Sequence, residues 1–148
     1  MSKEQENITH DLQKLQDPER ASILSKFFKT GNGEYGEGDI FLGIKVPELR
    51  KIAKKHSGVL LDDIGILMKN NIHEYRLISL LILVLKYNKE DSNGKKEIVD
   101  FYLSNIKYVN NWILLIAQHH IFWVIFSLTK TNQYCTDWQD QTTCGSEE

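Results

Sequence analysis

The stretch IHEYRLISLLILVLKY, residues 72–87, carries the strongest structural signal in the chain. Its apolar residues recur three and four positions apart, at Leu77, Leu80, Leu81, Val84 and Leu85, which is the spacing of one helix face. A face this broad is typical of a helix that other elements enclose. We therefore predict that residues 72–87 form the central buried helix of an all-α fold.

Weaker helical patterns precede this stretch. Residues 4–15 predict a polar helix, and Pro18 can begin a second helix at its first turn, with Asp17 as the N-cap. The apolar stripe of the second helix comprises Ile23, Leu24, Phe27 and Phe28. Pro47 is expected to begin a third helix, whose inward residues are Leu49, Ile52 and Ala53.

Two shorter patterns complete the helical set. One is marked by Leu61, Ile64, Leu67 and Met68, and the other by Ile98, Phe101, Tyr102 and Ile106. Glycines between residues 31 and 38 predict a loop, and so do residues 91–94. Short loops between helices indicate antiparallel helix pairs stacked in a row, that is, an α-α superhelix. No strict repeat is visible, so a plain helical bundle remains an alternative.

The composition is that of a single domain of 148 residues, with 41% hydrophobic and 26% charged residues. The N-terminus lacks the basic start and the following apolar stretch of a signal peptide. A cytoplasmic protein is therefore expected. Cys135 and Cys144 lack a second pair, and His119 and His120 point to different helix faces, so no metal or other cofactor is predicted. The apolar run of residues 113–126 is too short for a membrane span.

The net charge of −2 is unevenly distributed. Residues 113–148 carry −3, which leaves +1 for residues 1–112. The net charge therefore does not indicate nucleic-acid binding, and only a local basic patch could bind a nucleic acid. The best basic patch is formed by Lys45, Arg50, Lys51, Lys54 and Lys55. These residues could contact DNA phosphates, or they could be the solvated outer face of a helix.

The glycine-rich segment GEYGEGD, residues 33–39, is a poor candidate for a phosphate cradle, because no Lys-Ser/Thr pair follows it and no strand precedes it. Its carboxylates Glu34, Glu37 and Asp39 are expected to be solvated loop residues.

This segment and the following FLGIKVP, residues 41–47, resemble a signature of DNA alkylation-repair proteins of the AlkD-like group. The similarity continues through residues 72–76 and from Ile98 to Trp112, and covers most of residues 10–112. The resemblance implies a superhelix of HEAT-like repeats whose cationic concave face grips duplex DNA. It also implies a glycosylase that removes cationic N3- or N7-alkylpurines, in which a carboxylate stabilises the oxocarbenium-like sugar.

In that family the sequence W-D-L-V-D follows, and its second aspartate is catalytic. Here Trp112 is present, but Ile113 to Ile116 replace the remainder, so no catalytic residue is assigned. The resemblance makes Trp112 a candidate for the DNA-contacting aromatic, although a core tryptophan is an equal alternative.

The genetic code suggests why the aspartates are missing. One G inserted after the Trp112 codon permits the reading W-D-L-V-D-C-S-A-P-H-I-L-G-D-F, and the same frame permits L-W-E-R-R near residue 148. We therefore interpret residues 1–112 as the N-terminal part of the family's domain, here truncated, and residues 113–148 as an out-of-frame tail. The expected function is a DNA glycosylase lineage without activity. A non-enzymatic helical module that binds DNA or a protein is the alternative, and an intact enzyme obscured by a sequencing error is another.

Overall fold

The computed structural model describes residues 2–33 and 37–109. Within these ranges the chain forms six α-helices and one 3-10 turn, Ile106–Tyr108. The helices are α1 (Lys3–Lys14), α2 (Pro18–Phe27), α3 (Val46–Lys55), α4 (Leu61–Met68), α5 (His73–Lys89) and α6 (Ser92–Asn105). The described residues contain no strand, and a lone bridge pairs Ile40 with Ile72. None of these helices is long and apolar enough to cross a membrane.

The helix starts follow local chemistry. At α1, Ser2 and Gln5 form a capping box. At α2, the Asp17 side chain accepts a hydrogen bond from the Arg20 N–H, and Pro18 occupies the first turn. At α6, Asp91 accepts hydrogen bonds from the N–H groups of Asn93 and Gly94. The predicted loop at residues 91–94 is therefore wrong in part, because this cap begins α6 at Ser92.

The core is built around α5, as predicted. Every residue from His73 to Leu83 is buried. Helices α3, α4 and α6 pack on α5, α6 also packs on α4, and α1 packs on α3 and α4. Thus α3, α4 and α6 all lie beside α5, and α4 also lies beside α6. The described residues form helices and no strand, which confirms the predicted all-α fold class.

Helix α3 has the inward and outward faces that the sequence predicts. Leu49, Ile52 and Ala53 are buried. In α6, Ile98 and Tyr102 are buried, but Ile106 lies beyond the helix in the 3-10 turn and is exposed. The connection from α2 to α3 is longer than the other links and contains the glycine-rich segment.

Helix α2 departs from the expected pattern. None of the residues from Pro18 to Phe27 is buried, and Ile23 and Phe27 are 66% and 67% exposed. Only Phe28, the C-cap, enters the core. The apolar stripe predicted for this helix is therefore solvent-facing over its first part, because no other element of the described residues covers it.

Candidate nucleic-acid interface

The predicted basic patch is an exposed surface. Lys45 is the N-cap of α3, and the four other basic residues lie along the helix. All five are exposed, namely Lys45, Arg50, Lys51, Lys54 and Lys55. We refer to these five residues as the basic face. Their side chains are long enough to reach a polyanion without displacing the buried residues on the opposite side of α3.

Two members of the basic face already have carboxylate partners. Lys51 Nζ lies 2.8 Å from Glu48 Oε1 within the same helix. Lys55 Nζ lies 2.7 Å from Asp11 Oδ2 on α1. Lys45, Arg50 and Lys54 form no ion pair with another of the described residues, so their charges are the more available to an external anion.

A polar cluster joins α1 to the end of α3. The buried His56 ring has Nε2 at 2.9 Å from Asp11 Oδ2 and Nδ1 at 3.5 Å from Glu4 Oε2. The hydrogen bond from His56 and then that from Lys55 lower the pKa of Asp11, with burial opposing. Asp11 is therefore ionised near neutral pH and links the two helices.

A second exposed feature lies on α2, which the sequence did not identify as a site. Ile23 and Phe27 are one turn apart and solvent-facing, with Lys26 and Lys29 exposed beside them. The Phe27 ring meets Phe28 edge-on, with centroids 5.0 Å apart. The combination of an exposed aromatic with neighbouring cations suits a nucleic-acid surface. Its signal in the sequence was ambiguous, since the same apolar spacing predicts a buried stripe.

Residues 39–43 of the α2–α3 connection meet residues 73–76 at the start of α5, and we call these two segments the motif cluster. The Glu74 carboxylate accepts hydrogen bonds from the Leu42 N–H at 2.9 Å and the Gly43 N–H at 2.8 Å. The Ile40 carbonyl accepts a hydrogen bond from the His73 N–H at 2.8 Å. Burial raises the pKa of Glu74, and the backbone hydrogen bonds oppose that shift.

A buried ion pair joins the same two segments. Arg76 Nη2 is 2.7 Å from Asp39 Oδ2, and both side chains are buried. Glu37, by contrast, is exposed and accepts a hydrogen bond from the Gly33 N–H. The expectation that these loop carboxylates are solvated is therefore wrong for Asp39, because Arg76 of α5 draws it into the core. Glu34 lies outside the described residues.

His73 completes the motif cluster as an aromatic group rather than a base. Its ring stacks on Phe41, with centroids 4.8 Å apart, and faces Phe28 at 6.1 Å. Burial and then the neighbouring Arg76 lower the pKa of His73 to about 4, with Asp39 opposing. The ring is therefore neutral near pH 7.

The described residues contain no group of three or more His, Cys, Asp and Glu side chains that could hold a metal. Trp112 and residues 113–148, with the predicted division at 112, lie outside the described ranges. Residues 2–33 and 37–109 offer two exposed surfaces, the basic face and the exposed part of α2. Asp39, Glu74 and Arg76 of the motifs are buried.

Comparison with known proteins supplies the family. A family model described as DNA alkylation repair enzyme matches residues 8–142. No curated protein and no solved structure matches the chain. Because the family match covers most of the chain, the protein belongs to the DNA alkylation repair enzyme family.

Proposed function

We propose that this chain is a duplex-DNA-binding domain of the AlkD-like, HEAT-repeat glycosylase group, and that its basic face contacts the phosphate backbone. The observation that carries the proposal is the exposure of five cations at the N-cap and along α3 in a member of a DNA repair family. A nearly neutral protein can bind DNA through such a local patch, since phosphate contacts depend on local charge. Phe27 and Ile23 on α2 offer an apolar contact for the same ligand.

The test is the salt dependence of duplex binding, measured by fluorescence anisotropy. Each lost phosphate contact reduces the slope of log K against log salt by about 0.9. The variants Lys45→Ala, Arg50→Ala and Lys54→Ala should each show this reduction in slope. Lys51→Ala and Lys55→Ala should have smaller effects, because carboxylates partly neutralise these lysines. Lys96→Ala, an exposed residue of α6, is the matched control. Equal slopes for all variants would contradict a role for the basic face.

We further propose that the chain does not excise alkylpurines. The family's catalytic aspartate would stand where Ile116 stands, and an isoleucine cannot stabilise a cationic sugar. Purified protein should release no 7-methylguanine or 3-methyladenine above the buffer rate. A version with the restored reading frame should release both, and its failure to do so would contradict the assignment to a glycosylase group.

We also propose that residues 113–148 are an out-of-frame tail. The codon reading supports this proposal, whereas the family match continues to residue 142. Resequencing the gene across the Trp112 codon decides whether the aspartates are absent from the protein made in the cell. Residues 113–126 are apolar apart from Gln118, His119 and His120, and they include three β-branched residues between 121 and 125. Such a composition is prone to β-association. Deleting residues 113–148 should therefore sharpen the monomer peak in size-exclusion chromatography. A sharp monomer peak from the full chain would contradict this interpretation.

A non-enzymatic binding module is the second candidate, favoured by the exposure of Ile23 and Phe27. If the ligand is a protein, Phe27→Ala should abolish its capture, and the basic-face variants should leave capture unchanged. If the ligand is duplex DNA, the basic-face variants should weaken binding, and Phe27→Ala should weaken it as well.

A further inference from the structure

Helix α2 has no fully buried residue between Pro18 and Phe27. The pair Ile23 and Phe27 is exposed. Four of its residues are half-buried, namely Arg20, Ala21, Leu24 and Ser25. Burial of apolar surface is the usual source of helix docking energy. The half-buried residues of α2 give it less apolar burial than the other helices have, and further contacts add to the fixing of its position.

These further contacts run through residues 41–43. The Asp17 N–H donates a hydrogen bond to the Leu42 carbonyl at 2.8 Å. Gly43 has a φ of 81°, and an added Cβ would overlap the Asp17 carbonyl oxygen and come within 2.7 Å of the Ala21 nitrogen. The Phe28 ring stacks on Phe41 with centroids 5.2 Å apart. Helix α2 therefore rests on this segment at both of its ends.

The segment is held in turn by Glu74. The backbone N–H groups of Leu42 and Gly43 each donate a hydrogen bond to a different oxygen of the Glu74 carboxylate. Glu74 is 1% exposed and lies in the first turn of α5, the most buried helix. Hydrogen bonds to a charged acceptor are stronger than neutral ones, and buried donors left unpaired are costly.

We propose that Glu74 is a positioning residue that holds α2, and with it the exposed Phe27 surface, against the body of the domain. The carboxylate fixes residues 41–43, and this segment fixes α2. Glu74 itself has no access to a ligand. The role of Glu74 in fixing α2 does not depend on which ligand the protein binds. Its effect on DNA binding rests on the proposed function.

Hydrogen exchange of the full chain tests the holding of α2. In Glu74→Gln an amide NH₂ replaces one acceptor oxygen and faces an N–H donor. Amides of residues 19–28 should then exchange about tenfold faster or more, while those of residues 77–83 change less than about twofold. Glu90→Gln, at the exposed C-cap of the same helix, is the control and should change neither. Unchanged exchange in α2, or equal acceleration in α2 and α5, would overturn the proposal.

Gly43→Ala provides a second test in case Glu74→Gln does not fold. It pushes α2 away from the segment while the Glu74 carboxylate remains. Selective loosening of residues 19–28 supports the proposal, and uniform or absent loosening overturns it.

Duplex binding distinguishes a positioning role from a merely structural one. Phe27→Ala should weaken duplex binding by the wild-type chain, and should have little further effect in the Glu74→Gln background. Additive losses would overturn a positioning role at the DNA surface. If the wild-type chain binds no duplex, the proposed function fails, and the exchange experiment still decides whether Glu74 holds α2.

Discussion

Helices α5 and α2 show two different ways of placing a helix in the same small domain. Eleven consecutive residues of α5, from His73 to Leu83, are buried, and α3, α4 and α6 surround them. Helix α2 buries none of its residues between Pro18 and Phe27. Its links to the domain include a backbone hydrogen bond, a tight glycine contact and the Phe28 ring, which faces both Phe41 and His73.

The difference shows that one helix stabilises the fold and another presents exposed side chains. Helix α5 uses apolar surface to stabilise the fold and therefore has none to offer a ligand. Helix α2 keeps Ile23 and Phe27 exposed, while its half-buried residues and its contacts with residues 41–43 hold it against the domain. A helix whose side chains must meet a partner can be placed in this way without covering them.

The largest expected effect comes from a charge placed in α5. Leu81→Asp should abolish cooperative unfolding, because it buries an unpaired carboxylate at a cost of on the order of 5 kcal/mol. Thermal unfolding followed by circular dichroism measures this. Ile23→Asp is the matched variant on α2 and should change stability by less than about 0.5 kcal/mol. Similar melting of Leu81→Asp and the wild type would show that α5 is not central.

The next effect concerns the buried ion pair behind the glycine-rich segment. Removing one partner with Arg76→Leu should cost about 3–5 kcal/mol, since Asp39 is left charged in the core. The double variant Asp39→Leu with Arg76→Leu should recover much of that loss. Urea denaturation measures both. For comparison, Lys51→Ala removes an exposed pair and should cost at most about 1 kcal/mol. A double variant no more stable than Arg76→Leu would contradict this account.

The pH dependence of stability should carry the signature of His73. Its pKa is lowered from 6.5 to about 4 in the folded state, so the unfolded chain binds the proton more readily. The contribution of His73 is full above pH 6.5 and is lost as the pH falls toward 4, amounting to about 3 kcal/mol.

The raised pKa of Glu74 acts in the opposite direction over part of this range, because the folded state then binds the proton more readily. The measurement is therefore the difference between wild type and His73→Phe, which retains a ring against Phe41. The variant should lose less stability on acidification between pH 6.5 and 4. Parallel stability curves for the two proteins would show that His73 does not titrate as described.

The smallest effect is expected at the start of α2. Asp17→Ala removes the side-chain cap on the Arg20 N–H and should cost about 1 kcal/mol. The loss should be seen mainly as faster exchange within α2. Glu19→Ala, which makes no cap, is the control and should leave that exchange nearly unchanged. An equal loss of protection in α5 would show that α2 and the core unfold as one unit.

Several features follow from sequence alone, because local chemistry decides them. Asp17 and Pro18 mark the start of α2, Pro47 lies in the first turn of α3, and the apolar spacing of residues 77–85 identifies the buried helix. The outward direction of the basic residues of α3 likewise follows from helical periodicity. The family can also be predicted from the sequence, because the motifs of residues 33–47 and 72–76 resemble those of the family that the comparison identifies.

Other features depend on contacts between residues far apart in the chain, and only the tertiary structure decided them. Asp39 resembles any loop carboxylate until Arg76, 37 positions later, is packed against it. Glu74 looks like an ordinary first-turn glutamate until the N–H groups of residues 42 and 43 meet it. Phe27 fits an inward stripe by spacing, yet it is exposed, because periodicity defines a helix face but not which faces find a neighbour.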